Sequence, residues 1–122
     1  MGRKKPAGAA AGKVLDERIT LRAPRSGATL REEVWQDSDG TVVRYNLAYI
    51  NPRRCRLDHG RVLGYDNRHG YHHRHFVGRV EPVEFDDYAA LSRRFQAEVH
   101  ELWRLEDEEE EKTGRHYWYG NE

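Results

Sequence analysis

The sequence has a single cysteine, Cys55, so no disulfide bond can form within the chain. It also lacks any run of about 18 apolar residues, which excludes a membrane-spanning helix. Residues 1–7 carry basic side chains but no apolar segment, so they do not have the pattern of a signal peptide. We therefore expect a cytoplasmic protein that contacts no membrane and keeps Cys55 reduced.

The chain also lacks net charge, because 21 Lys and Arg residues balance 21 Asp and Glu residues. The charges are nevertheless segregated. Residues 1–26 hold seven basic and two acidic residues, whereas residues 101–122 hold three basic and eight acidic residues. Residues 51–80 contain seven arginines and five of the seven histidines. Such a local basic patch indicates an anionic ligand, which the neutral total alone would not suggest.

Hydrophobic alternation predicts a β-sheet over the first two thirds of the chain. The clearest strand is residues 41–50, where Tyr45, Leu47 and Tyr49 recur at a period of two. Turn signals such as Asp39-Gly40 separate this strand from its neighbours. Further strands are predicted at residues 14–21, 28–35, 61–65 and 78–85, with Pro82 at an edge or end, and a short strand at 55–57 in a hairpin with 61–65.

A long helix is predicted after the last strand. Asp86 or Asp87 can cap its N-terminus by accepting hydrogen bonds from free backbone N–H groups. Five apolar residues then recur at helical spacing: Tyr88, Leu91, Phe95, Val99 and Leu102. The sequence thus predicts an α+β fold, an antiparallel sheet of about four to six strands with one long C-terminal helix packed on one face.

The composition divides the chain into three segments. We expect residues 1–13 to be a disordered basic arm, residues 14–105 a single α+β domain, and residues 106–122 an acidic and then aromatic tail. An acidic run such as residues 106–111 is usually a solvated helix end. A second hypothesis is that this run, or an acidic segment of a partner, occupies the basic site.

Four short segments carry a resemblance to a known family. They are RYNLAYI at residues 44–50, RVLGYDN at 61–67, HHRH at 72–75 and EPVEF at 81–85. Over residues 14–103 the chain resembles the TumE-type toxins of TumE–TumA toxin–antitoxin modules. The resemblance implies a growth-inhibiting toxin that acts on RNA and has a cognate helix-turn-helix antitoxin as its protein partner. It leaves the oligomeric state and the catalytic mechanism open.

The histidine cluster suggests a metal-independent endoribonuclease. Such an enzyme needs a base for the 2′-hydroxyl proton, an acid for the leaving oxygen and cations for the phosphorane charge. We expect His72, His73 and His75 to supply the acid and base, Arg74 to stabilise charge, and Asp66 to orient a histidine. In an extended strand His73 and His75 share one face, so His72 and His73 cannot both face one substrate.

Two alternatives remain open at this point. In one, the protein is a non-catalytic nucleic-acid- or protein-binding module, and its Arg/His patch acts only electrostatically. In the other, His73 and His75 bind zinc together with His69, His72 or Asp66. The chain has neither a set of cysteine ligands nor a His-Glu-x-x-His motif, so we expect no metal and no other cofactor.

Residues around the cluster are candidates for substrate binding. Arginines and tyrosines close together can bind the phosphates and stack on the bases of single-stranded RNA. The candidates are Arg53, Arg54, Arg61, Arg68, Tyr65, Tyr71 and Asn67. The competing interpretation is a charged hairpin paired with surface acids, and for Asn67 a local turn closed by its own side chain.

Overall fold

The computed structural model describes residues 12–120, and it confirms the predicted α+β fold. Six strands form one antiparallel sheet in sequence order, and one long helix follows them. The elements are β1 Gly12–Thr20, β2 Thr29–Gln36, β3 Val42–Ile50, β4 Arg61–Asp66, β5 His73–Phe76, β6 Arg79–Pro82 and α1 Tyr88–Thr113. The expected basic arm falls on residues 1–11, which lie outside the described residues, while residues 12 and 13 begin β1.

The helix α1 packs on one face of the sheet, over β3 and β4. The alternation predicted for β3 places its tyrosines and Leu47 on this face, where they meet the apolar stripe of α1. The buried side chains between sheet and helix are Tyr45, Leu47, Tyr49, Leu63, Tyr65, Leu91, Phe95 and Val99. Each such side chain contributes about 1.5–3 kcal/mol when fully buried, so this layer holds the helix on the sheet.

Both ends of α1 follow from local sequence signals. Asp87 is the N-cap, and its carboxylate accepts a hydrogen bond from the Ala90 N–H at 2.7 Å. Gly114 ends the helix in the left-handed conformation, with φ of 66°. The helix therefore continues through the acidic run as far as Thr113.

Three acids of this run form ion pairs with two buried arginines. Glu106 is fully buried and accepts hydrogen bonds from Arg25 Nε at 3.1 Å and from the Tyr119 hydroxyl at 2.6 Å. Arg54 Nε lies 3.4 Å from Glu106, and Arg54 also forms an ion pair with Glu110. The expectation that the acidic run is only a solvated helix end is wrong for Glu106, which is fully buried between guanidinium groups.

The prediction of a short strand at residues 55–57 is wrong. The chain forms turns there, because the Asn51 carbonyl accepts hydrogen bonds from the N–H groups of Arg54 and Cys55 at 3.0 and 2.9 Å. Cys55 makes an isolated parallel bridge with Tyr119. Strand β4 pairs with β3 and β5 instead.

Candidate functional site

One face of the sheet is not covered by α1, and we call it the open face. The antiparallel registers place Asn46 of β3 opposite Asp66 of β4, and Asp66 opposite His73 of β5. His75 lies opposite Gly64, one step along the same face. Since alternate residues of a strand share a face, His73 and His75 both lie beside Asp66 on the open face.

Asp66 connects the two histidines. Its Oδ1 lies 2.7 Å from Nε2 of His73, and its Oδ2 lies 2.9 Å from Nε2 of His75. The backbone N–H of Arg68 also donates to Oδ1, at 3.1 Å. The side chains of Asp66, His73 and His75 are only 12%, 4% and 12% exposed. A single carboxylate thus holds both imidazoles in fixed orientations.

Arg61, at the start of β4, lies across this arrangement. Its Nε donates to Oδ2 of Asp58 at 2.7 Å, and its Nη2 lies 3.0 Å from Nδ1 of His75. Its Nη1 lies 3.8 Å from Oδ2 of Asp66. We refer to Asp58, Arg61, Asp66, His73 and His75 together as the Asp66 cluster.

The contacts of His75 determine its protonation. A guanidinium group only donates hydrogen bonds, so Nδ1 of His75 accepts from Arg61, and the ring proton is on Nε2, where it donates to Asp66. Burial lowers the pKa of His75, and the Arg61 cation lowers it further, against the opposing effect of Asp66. His75 is therefore a neutral imidazole near pH 7.

The contacts of His73 differ from those of His75. Its Nδ1 donates to the Tyr71 carbonyl at 3.0 Å, and its Nε2 faces the carboxylate of Asp66. A backbone carbonyl only accepts hydrogen bonds, so the Nδ1 of His73 carries a proton. The two histidines of the cluster thus differ in their contacts, because Nδ1 is a donor in His73 and an acceptor in His75.

Gly64 makes room for Arg61. A Cβ atom at this position would lie 2.8 Å from Cδ of Arg61 and 3.2 Å from the carbonyl oxygen of Leu47. Both separations are shorter than ordinary van der Waals contact, so a side chain here would displace Arg61. The missing side chain allows the guanidinium group to lie over the sheet and reach His75.

A cavity of about 260 Å³ adjoins the cluster on the open face. Its lining includes Trp35, Arg44, Asn46, Arg61, Asp66 and Arg68. The guanidinium carbon of Arg44 lies 4.6 Å from the centre of the Trp35 ring, and Lys13 Nζ lies 5.0 Å from it. Three arginines outnumber the two acids of this lining, Glu33 and Asp66, and together with the indole they suit a ligand that combines negative charge with a flat ring.

The structure separates His72 and Arg74 from the Asp66 cluster. His72 stacks on Phe85 with ring centres 3.9 Å apart, and its Nδ1 lies 2.8 Å from the Tyr45 hydroxyl. Arg74 forms an ion pair with Glu98 of α1 at 2.7 Å. Both side chains therefore lie on the helix side of the sheet, away from His73 and His75, and the cation of the Asp66 cluster is Arg61.

The candidates for substrate binding are also divided. Arg61 and Arg68 line the open-face cavity, and the ring of Tyr71, 47% exposed, lies 4.7 Å from that of His73. Tyr65 is buried under α1, where its hydroxyl donates to Glu98.

Of the remaining three candidates, two have structural contacts and one is exposed. Arg54 is buried in the ionic network with Glu106, whereas Arg53, on the same turn, is exposed. The amide of Asn67 bonds to the backbone of Val43 and Tyr45 at 2.9 and 3.1 Å, which fixes the end of β4 against β3.

Asp66, His73 and His75 also bring three potential metal ligands within 4.8 Å of one another. His73 suits this role, because its Nδ1 bonds to a backbone carbonyl and leaves Nε2 directed at the cluster. His75 does not, because Arg61 donates to its Nδ1 and keeps the proton on Nε2, the atom that would bind the metal. The donor set therefore fits a metal ion only if Arg61 moves. His69 and His72 do not join this group.

Sequence reasoning did not single out several residues of this site. Trp35, Arg44 and Asn46 face the cavity because they lie on the same face of neighbouring strands. The period of two in β3 could have placed Arg44 and Asn46 on the other face of the strand from Tyr45. Nothing local indicates Asp58, which joins the cluster through Arg61.

The fold and the site together define a small α+β protein whose uncovered sheet face gathers carboxylate, imidazole and guanidinium groups suited to an anionic ligand. The family model described as "Toxin TumE" matches residues 13–104, most of the chain, and the chain belongs to this family. It is thus a toxin, and its family implies an antitoxin partner. No curated protein and no solved structure matches the chain. Although α1 is long, no helix within residues 12–120 is apolar enough to cross a lipid bilayer.

Proposed function

We propose that this toxin acts on RNA in the cytoplasm as a metal-independent endoribonuclease, and that a helix-turn-helix antitoxin silences it. The observation that carries the proposal is the Asp66 cluster. Two histidines, a carboxylate and an arginine lie together on the open face, next to a cavity with two further arginines. Metal-free cleavage of RNA needs a base, an acid and a cation of this kind.

In this proposal His75 is the base. Its Nδ1 lone pair faces Arg61, which is also a good donor to phosphate oxygens. When a phosphodiester binds Arg61, Nδ1 of His75 is released and accepts the proton of the ribose 2′-hydroxyl. The Nε2–H of His75 stays bonded to Asp66, which stabilises the imidazolium that forms.

His73 is the acid. The 2′-oxygen attacks phosphorus, the bond from phosphorus to the 5′-oxygen breaks, and that oxygen takes a proton from His73. The products are a 2′,3′-cyclic phosphate and a free 5′-hydroxyl. Arg61 stabilises the charge that develops on the phosphoryl oxygens, the role that sequence reasoning gave to Arg74.

The cavity beside the cluster holds the nucleotide. Arg44 and Arg68 bind the flanking phosphates, and Trp35 offers a surface on which a base stacks. Stacking of this kind contributes about 1–3 kcal/mol per base and tolerates any base. We therefore propose single-stranded RNA as the substrate.

The direct test incubates purified protein with a labelled RNA oligonucleotide in the presence of EDTA. Wild type is expected to give fragments that end in a cyclic phosphate, and a 2′-deoxy nucleotide at the cleaved position blocks the reaction there. His75→Ala is expected to lower the rate about 10²–10⁴-fold, the typical contribution of a general base. His100→Ala, which changes an exposed histidine of α1, is the matched control and keeps full activity.

A chelator that abolishes cleavage, restored by zinc, would contradict the metal-free mechanism. A second candidate function has its own support, because both ring nitrogens of His73 and of His75 already face polar partners within the protein. That pattern also fits a non-catalytic module that binds nucleic acid or protein electrostatically. Such a module would bind RNA with an affinity that falls steeply with salt, and it would release no cleaved ends.

A further inference from the structure

Strand β1 is an edge strand that is open along its length. All but one of its nine residues are exposed, and Val14 and Ile19 are 55% and 52% exposed. Its inner edge pairs with β2, and its outer edge leaves a row of backbone N–H and C=O groups without a strand partner in residues 12–120. The opposite edge strand β6 has only four residues and ends in Pro82. A long open edge is a template for pairing with another chain.

The charges on β1 are arranged for pairing with a copy of itself. A twofold axis perpendicular to the sheet pairs the two β1 strands antiparallel and keeps each face of the sheet continuous from one copy to the other. Because residues directly opposite each other must then point to the same face, the axis passes through a residue position and not between two residues. With the axis at Glu17, Asp16 lies opposite Arg18 of the second copy, and the reverse pair repeats this contact. Opposite charges directly across two strands stabilise the pair, whereas like charges destabilise it.

Neighbouring registers lose these pairs. An axis at Asp16 places the Asp16 carboxylates of the two copies opposite each other. An axis at Arg18 places the two Arg18 guanidinium groups opposite each other. An axis at Leu15 places Asp16 opposite Val14, at the bulge between Lys13 and Leu15. The register centred on Glu17 is therefore the one in which Asp16 and Arg18 both meet an opposite charge.

The same register also matches the apolar side chains. Leu15 and Ile19 lie on the face covered by α1, since they pair with Val34 and Leu30 of β2. About the Glu17 axis, Leu15 of each copy lies opposite Ile19 of the other, which covers the exposed Ile19. The two Glu17 side chains meet on the axis, and this contact is the unfavourable one in the arrangement.

We propose that the protein forms a homodimer in which the two β1 strands pair antiparallel about an axis at Glu17. The two six-stranded sheets then form one continuous sheet, with both helices on one side. Both Asp66 clusters lie on the other side, where the two open faces become a single surface. This inference rests on the geometry of β1 and does not depend on the proposed ribonuclease function.

The test measures the mass of the purified protein in solution by light scattering and sedimentation over a range of concentrations. Wild type is expected to be a dimer. Arg18→Asp places acidic pairs across the interface and raises the dissociation constant at least about tenfold. Arg18 is the cleaner site, because it forms no ion pair with any other residue of 12–120, whereas Asp16 also contacts Lys13 at 2.8 Å and Arg31 at 3.5 Å.

The decisive experiment mixes two variants with opposite charge changes. Asp16→Arg and Arg18→Asp are each expected to be monomeric alone, and an equimolar mixture restores a dimer, because each variant then meets the opposite charge. Glu17→Gln removes the repulsion on the axis and tightens the dimer. Asp39→Arg, at the exposed turn between β2 and β3, is the matched control and leaves the dimer intact. Circular dichroism confirms that every variant is folded.

A wild type that remains monomeric at all concentrations would overturn the proposal and leave the β1 edge free for another protein, such as the antitoxin. A dimer that folded Arg18→Asp does not weaken, or a mixture that stays monomeric, would also overturn it. Loss of RNA cleavage in a variant that still dimerises concerns the proposed function alone.

Discussion

A histidine can act as a base only in its neutral form, and the surroundings of His75 hold it in that form. Burial and the Arg61 cation lower its pKa below the ordinary value of 6.5. We predict that kcat/KM for RNA cleavage falls on acidification only below that pH, because His75 is protonated there. Arg61→Gln removes the cation, so it moves the acidic limb of the pH–rate profile part of the way towards 6.5 in addition to lowering the rate.

The control for this pH prediction is Arg93→Gln, which removes an exposed arginine of α1 and leaves the profile unchanged. An acidic limb at the same pH in wild type and Arg61→Gln would show that Arg61 does not act on His75 in the way that its 3.0 Å contact implies.

The position of Arg61 depends in turn on Gly64. Gly64→Ala brings a Cβ atom to 2.8 Å from Arg61 Cδ and 3.2 Å from a backbone oxygen, so the side chain and strand must both shift. We expect a loss of about 1–3 kcal/mol in the free energy of unfolding, measured by urea denaturation, together with reduced cleavage. Gly12→Ala, where nothing lies within 4 Å, is the matched control. Full stability and activity in Gly64→Ala would contradict the packing described for Arg61.

At this scale, part of the site could be predicted from the sequence. The period of two placed His73 and His75 on one face, and that side also carries Asp66. The same period places Arg74 on the other face, but its ion pair with Glu98 could not be predicted, because only the tertiary fold brings this residue of α1 near. The role of Arg61 was missed for a similar reason, since its reach to His75 depends on the absence of a side chain at Gly64.

At the scale of elements, the C-terminal end of α1 is fixed to the sheet by charge. Glu106 is fully buried and lies between Arg25 and Arg54. Glu106→Ala leaves two guanidinium groups buried without this partner, and we expect a loss of about 3–5 kcal/mol in the free energy of unfolding. Urea denaturation measures it, and Glu108→Ala is the control, because this exposed residue pairs only on the helix surface with Arg104. Equal effects of the two substitutions would contradict a buried network.

The elements themselves were largely predictable. Strand alternation, the Asp87 cap and the apolar stripe of α1 are local signals, and the structure confirms each of them. The strand predicted at residues 55–57 failed because the Asn51 carbonyl closes a turn there. The inward orientation of Glu106 could not be predicted, because its partners lie on turns far away in sequence.

At the scale of the whole molecule, the two faces of the sheet have different roles. One face carries α1 and the core, and the other carries the Asp66 cluster and its cavity. Substitutions of exposed residues of the open face, such as Arg44 and Arg68, are therefore expected to affect toxicity with little effect on folding, whereas substitutions under α1 affect folding first. Strand alternation predicted that His72 and His73 face opposite sides, but the sequence could not show which side α1 covers.

The measurement that tests this account most directly is growth of a bacterial host after induction of the toxin, with total RNA analysed for new ends. Wild type and a His100→Ala, His116→Ala control are expected to arrest growth and produce cleaved RNA. A His73→Ala, His75→Ala variant, shown to be folded and present at equal amount, is expected to do neither. Growth arrest and RNA cleavage by that variant at the level of wild type would contradict the placement of the functional site on the open face.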